Sequence, residues 1–330
     1  MASLRDLRKR LRAVKNTQKI TKAMKMVAAS KLRRAQNQVQ QARPYAMGMQ
    51  NVLQHIVSSS DVEAHPLLQV RLPKRVEIVV MTSNRGLCGS FNSSIARAGE
   101  RYIAENEEQY DEILLSTIGR KGAEHFRRKG WDLESEHNDV WDDLRFARAA
   151  DIARSLAARF RAGRLDAVYL LYNEFKSAIS QNVVLDQLLP IQPLDHWRED
   201  PKVHVSELHA FSGDPRSVAG RSESIEVEFP EEWEPSPRLE VEKEGFEHIF
   251  EPSRSEVLDA LLPQHLAVQL WRALLESFAA EHGARMTAMD AASTNAKELI
   301  EKITLEANRV RQANITNELM EIVSGAEALS

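Results

Sequence analysis

Residues 4–42 read LRDLRKRLRAVKNTQKITKAMKMVAASKLRRAQNQVQQA, and the spacing of their apolar and small side chains decides the fold. Leu4, Leu7, Leu11, Val14, Gln18, Thr21, Lys25, Ala28, Leu32, Ala35, Val39 and Ala42 fall at alternating three- and four-residue steps. That is the seam of a coiled coil, in which one stripe of a helix keeps facing a partner helix. A matching stripe occurs at the other end of the chain, through Met289, Ala292, Ala296, Leu299, Ile303, Val310 and Ala313, with Glu306 breaking it. Pairing the first and last segments of one chain makes an antiparallel rod with a globular insert at one end. About 55 to 70 helical residues would span roughly 80 to 100 Å, far longer than a domain of this size is wide.

Working outward, Ser3 with Asp6 three residues later gives a capping-box start to the first helix. Its seam turns polar from Gln18 to Lys25, and a second stripe of Ile20, Met24 and Val27 occupies a neighbouring face. Such a polar turn either sets the pairing register or faces a partner. Pro44 is expected to end or kink the helix, with a weaker stretch resuming through Val57. At the far end Ser255 is expected to open the second long helix, Pro263 to make its start irregular, and Gly325 to release it. Glu298 and Lys302 make a supportive pair four residues apart.

The centre alternates β-branched runs with helical patterns. Strands are expected at Val76–Met81, Glu112–Ile118, Asp166–Tyr172 and Asn182–Leu189, and helices around Ser93–Glu107, Gly119–Lys129 and Leu144–Arg161. That alternation implies a small, Rossmann-like α/β sheet with parallel pairing, so the class is α/β with a long antiparallel coiled coil. The division expected is 1–60 for the N-terminal coiled-coil helix, 75–192 for the α/β domain, 193–252 for an acidic insertion, and 253–330 for the C-terminal coiled-coil helix. The insertion carries prolines, glutamates and isolated Trp residues without a helical period, and reads as a hairpin or a partly disordered stretch.

Composition agrees with a thin rod. Aromatic residues are 6% of the chain, and the single cysteine, Cys88, rules out an internal disulfide and fits a reducing compartment. The first residues lack a signal peptide's apolar run, and no stretch of about 18 apolar residues follows, so membrane association is expected only through partners. The net charge of −4 conceals an asymmetry: residues 5–43 are densely basic with Asp6 the lone acid, whereas 195–251 is dominated by glutamates. A basic arm fits either a nucleic-acid or acidic-surface binder, or a solvated helix face.

Candidate chemistry is sparse. Thr82 to Phe91 follows a strand and precedes a helix, where phosphate-binding loops sit, but it lacks the Lys-Ser/Thr of a P-loop and the three-glycine dinucleotide fingerprint. It reads as a tight turn or a docking loop. Cys88 has no catalytic His and Asn constellation, and His204 and His209 lack the partners of a metal site. No catalytic residue, metal site or cofactor site is expected.

Five blocks nevertheless carry a family resemblance. NTQKITKAMKMVAASK at 16–31, ARPYA at 42–46, SNRGLCG at 83–89, ARMTAMDAASTNA at 284–296 and RQANITNELMEIVSGA at 311–326 resemble the γ subunit of F-type ATP synthases. The resemblance implies a non-catalytic central stalk whose coiled coil turns inside the ring of α and β subunits. Its α/β domain would rest, with the ε subunit, on the membrane c-ring, at the cytoplasmic face of a bacterial inner membrane. It further implies that Lys22, Met24 and Lys25, with Arg285, Gln312 and Thr316, lie at the β subunit, and that Ile315, Leu319, Ile322 and Val323 form an apolar tip in the ring's upper bearing. The basic helix would then meet acidic β-subunit surfaces; the alternative is a basic coiled coil that binds nucleic acid. The sequence departs from the pattern at Asn84, where the family usually has an acid, and in the 193–252 insertion. That insertion lies where chloroplast members carry a redox switch, contains no cysteine, and is read as an electrostatic modulator of rotation or an inert loop.

Overall fold

The computed structural model describes residues 3–57, 65–178, 180–191, 203–204 and 253–327. Helix α1 (Leu4–Val57, 54 residues) and helix α5 (Arg254–Glu327, 74 residues) are the two arms of the rod. At 1.5 Å per residue they are about 80 Å and 110 Å long. Each begins with a reciprocal cap. The Asp6 amide donates to Ser3 Oγ (3.2 Å) while that hydroxyl donates to the Asp6 carboxylate (2.7 Å). Ser253, rather than Ser255, does the same at α5, where its hydroxyl accepts from the Glu256 amide (3.3 Å) and donates to Oε1 (3.1 Å).

The three–four seam is the buried stripe of α1. Leu7, Thr21, Ala28, Leu32 and Ala35 are buried and the remaining seam positions from Leu4 to Ala42 are half-buried, after which Ala46, Met49 and Leu53 continue the spacing. Ala35 against Ala279 brings the backbones close, which is how an Ala-rich seam compensates for its small apolar area. The buried Thr21 satisfies its hydroxyl by donating to the Gln18 carbonyl (3.0 Å), so the polar turn leaves no orphaned group there.

Both prolines lie inside continuous helices instead of ending them. Pro44 is exposed on α1, so the carbonyl one turn before it, which loses its N–H partner, lies on the watered side. Met49 and Leu53 beyond it are buried and keep the helix packed. Pro263 likewise sits inside α5, and Gly325 does not stop that helix before Glu327.

Between the arms lies a six-stranded sheet in the order β3-β2-β1-β4-β5-β6, where β1 is Arg75–Met81, β2 Glu112–Ile118, β3 Ser135–His137, β4 Ala167–Phe175, β5 Gln181–Leu189 and β6 Val203–His204. β3 through β4 pair in parallel; β5 and β6 add an antiparallel edge. Helices α2 (Phe91–Asn106), α3 (Arg120–Arg128) and α4 (Phe146–Arg161) complete the domain.

The two-residue period of β1 divides the core. Val76, Ile78 and Val80 face α2 and α3 with Phe91, Ile95, Tyr102 and Phe126; Val79 and Met81 face α4 and α5 with Ile152, Leu156, Phe160, Leu266 and Leu270. Each such fully buried side chain contributes about 1.5–3 kcal/mol. Helix α5 is therefore both an arm of the rod and a face of the sheet's core. The acidic 193–252 stretch lies outside the described residues apart from Val203 and His204.

Candidate functional site

Two surfaces of the rod and one loop of the sheet domain hold the residues singled out in the sequence. The first surface is the middle of α1. Lys22 is exposed, and Met24 and Lys25 are half-buried beside the seam. Of the second stripe Ile20 is 59% exposed and Val27 58%, and Met26 next to it is 61% exposed. These apolar side chains stand open to solvent among the lysines of the helix. Lys25 Nζ bridges to Asp290 on α5 at 2.6 Å, tying this face to the second arm.

The second surface is the end of α5. Every residue from Arg311 to Met320 is exposed, including Gln312, Thr316, Ile315, Leu319 and Met320. Ala313, expected in the seam, is exposed as well, because α1 begins at Leu4 and, among the described residues, nothing else covers residues 311–320. Thr316 turns its hydroxyl back to the Gln312 carbonyl (3.0 Å), which frees the helix surface for Ile315 and Leu319. Ile322 and Val323 lie further along the same helix.

Arg285, grouped with these residues by resemblance, is placed elsewhere. It is buried, with its side chain turned into the molecule. Nη1 donates to Glu281 Oε1 (2.5 Å) and to His282 Nδ1 (3.2 Å); Nη2 donates to the carbonyls of Arg85 (3.4 Å) and Gly86 (3.2 Å). Burial pushes the Glu281 carboxyl up, and the adjacent guanidinium pulls against it. Burial, then the charges of Arg285 and Lys31, push His282 down to about 3, so its imidazole is neutral and accepts from Arg285. The rings of Phe278 and His282 meet edge to face with centroids 4.4 Å apart, and Trp141 stacks on Phe278. Nothing in the pattern of α5 singles out Glu281 and His282; Gly283 beside them, a glycine inside a long helix, is the one local signal of a close approach there.

The loop that Arg285 holds runs from Thr82 to Ser90 at the carboxyl end of the parallel strands. Ser83 donates to the Arg85 carbonyl (2.6 Å), the Ser83 amide donates to Asn92 Oδ1 (2.9 Å), and Asn92 Nδ2 reaches the buried Cys88 sulfur (3.2 Å). Burial raises the Cys88 thiol, against the pull of Arg285. Leu87 takes a left-handed φ of 65° and Gly89 one of 58°. Gly119, which follows β2, is pressed so close that a Cβ there would lie 2.1 Å from the Thr82 carbonyl oxygen. Asn84 accepts from the Arg120 amide at the start of α3 (3.0 Å) and donates to the Asn138 carbonyl (2.7 Å). A phosphate loop aims N–H groups outward; this one turns carbonyls onto an arginine. It is a docking loop whose mate is the chain's own shaft.

Among the described residues no group of three His, Cys, Asp or Glu side chains is placed to hold a metal ion, and no helix is long and apolar enough to cross a membrane. His209 lies outside the described residues.

Comparison with known proteins matches this geometry. The family model described as ATP synthase matches residues 3–329. An ATP synthase γ chain of an Anaeromyxobacter species is 45% identical over 333 residues, covering 100% of both chains. One from Geobacter metallireducens is 45% identical over 329 residues, covering 100% of this chain and 99% of the relative. A chain of the central stalk and c-ring structure of Tetrahymena thermophila mitochondrial ATP synthase aligns with TM-score 0.54 at 28% identity, over 83% of this chain and 99% of that one. A chain of the Euglena gracilis mitochondrial ATP synthase rotor shares the fold, with TM-score 0.57 at 18% identity, over 94% and 98%.

Proposed function

The chain belongs to the ATP synthase family as a γ chain, and on that premise we propose that it makes and breaks no bonds itself and acts as the rotating shaft. Ion flow through the membrane sector turns the c-ring and this chain together, and the asymmetric rod forces the β-subunit sites in turn through different nucleotide affinities. In hydrolysis the direction reverses. An element can couple distant sites only by contacting their alternative states differently, which is the task of an asymmetric shaft.

The observation that carries this reading is the bare end of α5, exposed throughout residues 311–320 with Ile315, Leu319 and Met320 open to solvent. An apolar helix end without a partner among the described residues calls for an enclosing one. The ring of α and β subunits is that partner. Lys22, Met24, Lys25, Gln312 and Thr316 are the side chains offered to β, with Arg285 acting on that face from inside. Ile315, Leu319, Ile322 and Val323 form the tip in the upper bearing. The α/β domain, taken as 75–192 between coiled-coil arms at 1–60 and 253–330, rests with ε on the c-ring. The chain is then held peripherally at the cytoplasmic face of a bacterial inner membrane. The basic face of α1 meets acidic β surfaces in this reading, which leaves nothing for the nucleic-acid alternative to explain.

The test is reconstitution. Purified cognate α and β subunits mixed with this chain should form a stable complex whose multisite ATP hydrolysis depends on the chain. Absence of both binding and stimulation would contradict the shaft reading.

A further inference from the structure

Torque carried by a shaft must cross from the rod into the domain that rests on the c-ring, and apolar packing alone resists sliding poorly. Resting on the shaft reading above, we propose that Arg285 is the positioning residue that locks the α/β domain to the shaft, by clamping the 82–91 loop onto α5.

The clamp is built at one level of the rod. From one side the loop meets Arg285, whose guanidinium donates to two successive carbonyls, Arg85 (3.4 Å) and Gly86 (3.2 Å), while its other nitrogen holds Glu281 (2.5 Å). From another side the β4–β5 connection meets α5 at Gly283, where an added Cβ would touch the Phe175 ring at 3.3 Å and Ala178 backbone at 3.4 Å. One turn further along, Thr287 donates to the Ala178 carbonyl (3.0 Å). On the remaining side Leu32 and Ala35 of α1 pack on Ala279. Helix α5 is gripped from three directions between residues 279 and 287.

Among these contacts the one through Arg285 is directional and charged. A planar fork fixed to a buried carboxylate at one end and to two carbonyls at the other loses its bonds when the loop slides along the helix. Leaving that cation buried without partners is costly, so the clamp favours being fully closed. Leu87 supports this: a branched residue held at φ 65° inside the clamped turn persists only where its surroundings over-determine it.

The experiment uses the full complex of α, β, this chain, ε and the membrane sector in vesicles, and reads ATP-driven proton uptake per ATP hydrolysed. Arg285→Gln removes the clamp, and Arg285→Lys keeps the charge but not the fork, which guards against a variant that fails to fold. Both should lower the uptake-to-hydrolysis ratio several-fold, with amide exchange in residues 85–89 faster by about tenfold or more, as the loss of hydrogen bonds to a charged group implies. A tether then separates clamping from generic stability. An added Cβ at Gly89 would lie 4.0 Å from that of Ala288, within disulfide reach. In a Cys88→Ser background, oxidised Gly89→Cys/Ala288→Cys should restore the ratio in the Arg285→Gln complex. An unchanged ratio in both Arg285 variants, or a lowered ratio that the oxidised tether leaves lowered, would overturn the clamp. Failure of the wild-type complex to hydrolyse ATP in a chain-dependent way would overturn the shaft reading and the clamp together.

Discussion

Lys25 Nζ lies 2.6 Å from Asp290 Oδ1, joining residues 265 positions apart in the chain. That bridge marks the register of the antiparallel rod. Counted outward from it, the start of α1 at Leu4 comes level with about Arg311, and α5 runs on past that level to Glu327. The overhang of about 16 residues is some 24 Å of single helix. The register thus determines how much helix is left bare for a partner.

The bridge itself is a weak stabiliser. Both side chains are partly in water, at 41% and 56% exposure, so a double-mutant cycle of Lys25→Ala and Asp290→Ala should give a coupling of at most about 1 kcal/mol, reduced by salt. Denaturant unfolding at low and high ionic strength checks it.

Close packing at Ala35 matters more. Ala35 is fully buried against α5, so Ala35→Leu should force the arms apart and cost about 1–3 kcal/mol of stability. Thermal unfolding of the isolated chain measures the loss, and the same change at the exposed Ala23 should cost almost nothing.

The sheet domain carries its own buried ion pair, besides that of Arg285 and Glu281 on α5. Glu77 of β1 is fully buried, 2.7 Å from Arg159 of α4 and 2.6 Å from the Ser116 hydroxyl, while Arg159 also reaches Glu134. Arg159→Ala should cost about 3–5 kcal/mol, because it strands the Glu77 charge in the core. Glu77→Gln with Arg159→Met should recover most of that, as read by denaturant midpoints.

Acid should weaken the base of the rod through His265. Burial in α5 pushes this histidine down to about 4 from an ordinary value near 6.5. A depressed folded-state value means the stabilisation is complete above about 6.5 and is lost as pH falls toward 4, where the unfolded chain binds the extra proton. The loss by pH 4 is on the order of 3 kcal/mol. Stability measured from pH 7.5 down to 4.5 should fall, and His265→Gln should flatten that slope even if it lowers the plateau.

Asn84 is the departure from the family's usual acid, and its two bonds explain the amide. An amide both accepts from the Arg120 amide and donates to the Asn138 carbonyl, which an ionised carboxylate cannot do. Asn84→Asp should gain a little at the α3 N-terminus and lose more by facing a carboxylate to that carbonyl, for a net loss of about 1 kcal/mol at neutral pH. Chemical denaturation at pH 7.5 checks the sign.

The rod was legible because a long helix repeats one packing rule for dozens of residues, so Leu7, Leu32 and Ala35 declare themselves by spacing alone. Strands β1 and β2 were equally plain, being runs of β-branched residues buried on both faces. Ser135–His137 was not legible: three half-buried polar residues carry no period, and only pairing with β2 makes them a strand. Pro44 does not end the helix, because its local effect on one hydrogen bond says nothing about the packing on either side of it. The burial of Arg285, a residue named by resemblance, was not legible either, because the carbonyls that solvate it come from Arg85 and Gly86, about two hundred residues earlier in the chain.

The most direct test of the shaft is to watch it turn. A probe attached through Glu108→Cys, on the exposed part of the sheet domain, can be followed in single complexes whose α and β subunits are fixed to a surface. With ATP supplied, the probe should advance in one direction in steps of about a third of a turn, one for each β site, as a shaft that contacts three sites in different states requires. ATP hydrolysis with the probe stationary would contradict the account at its centre.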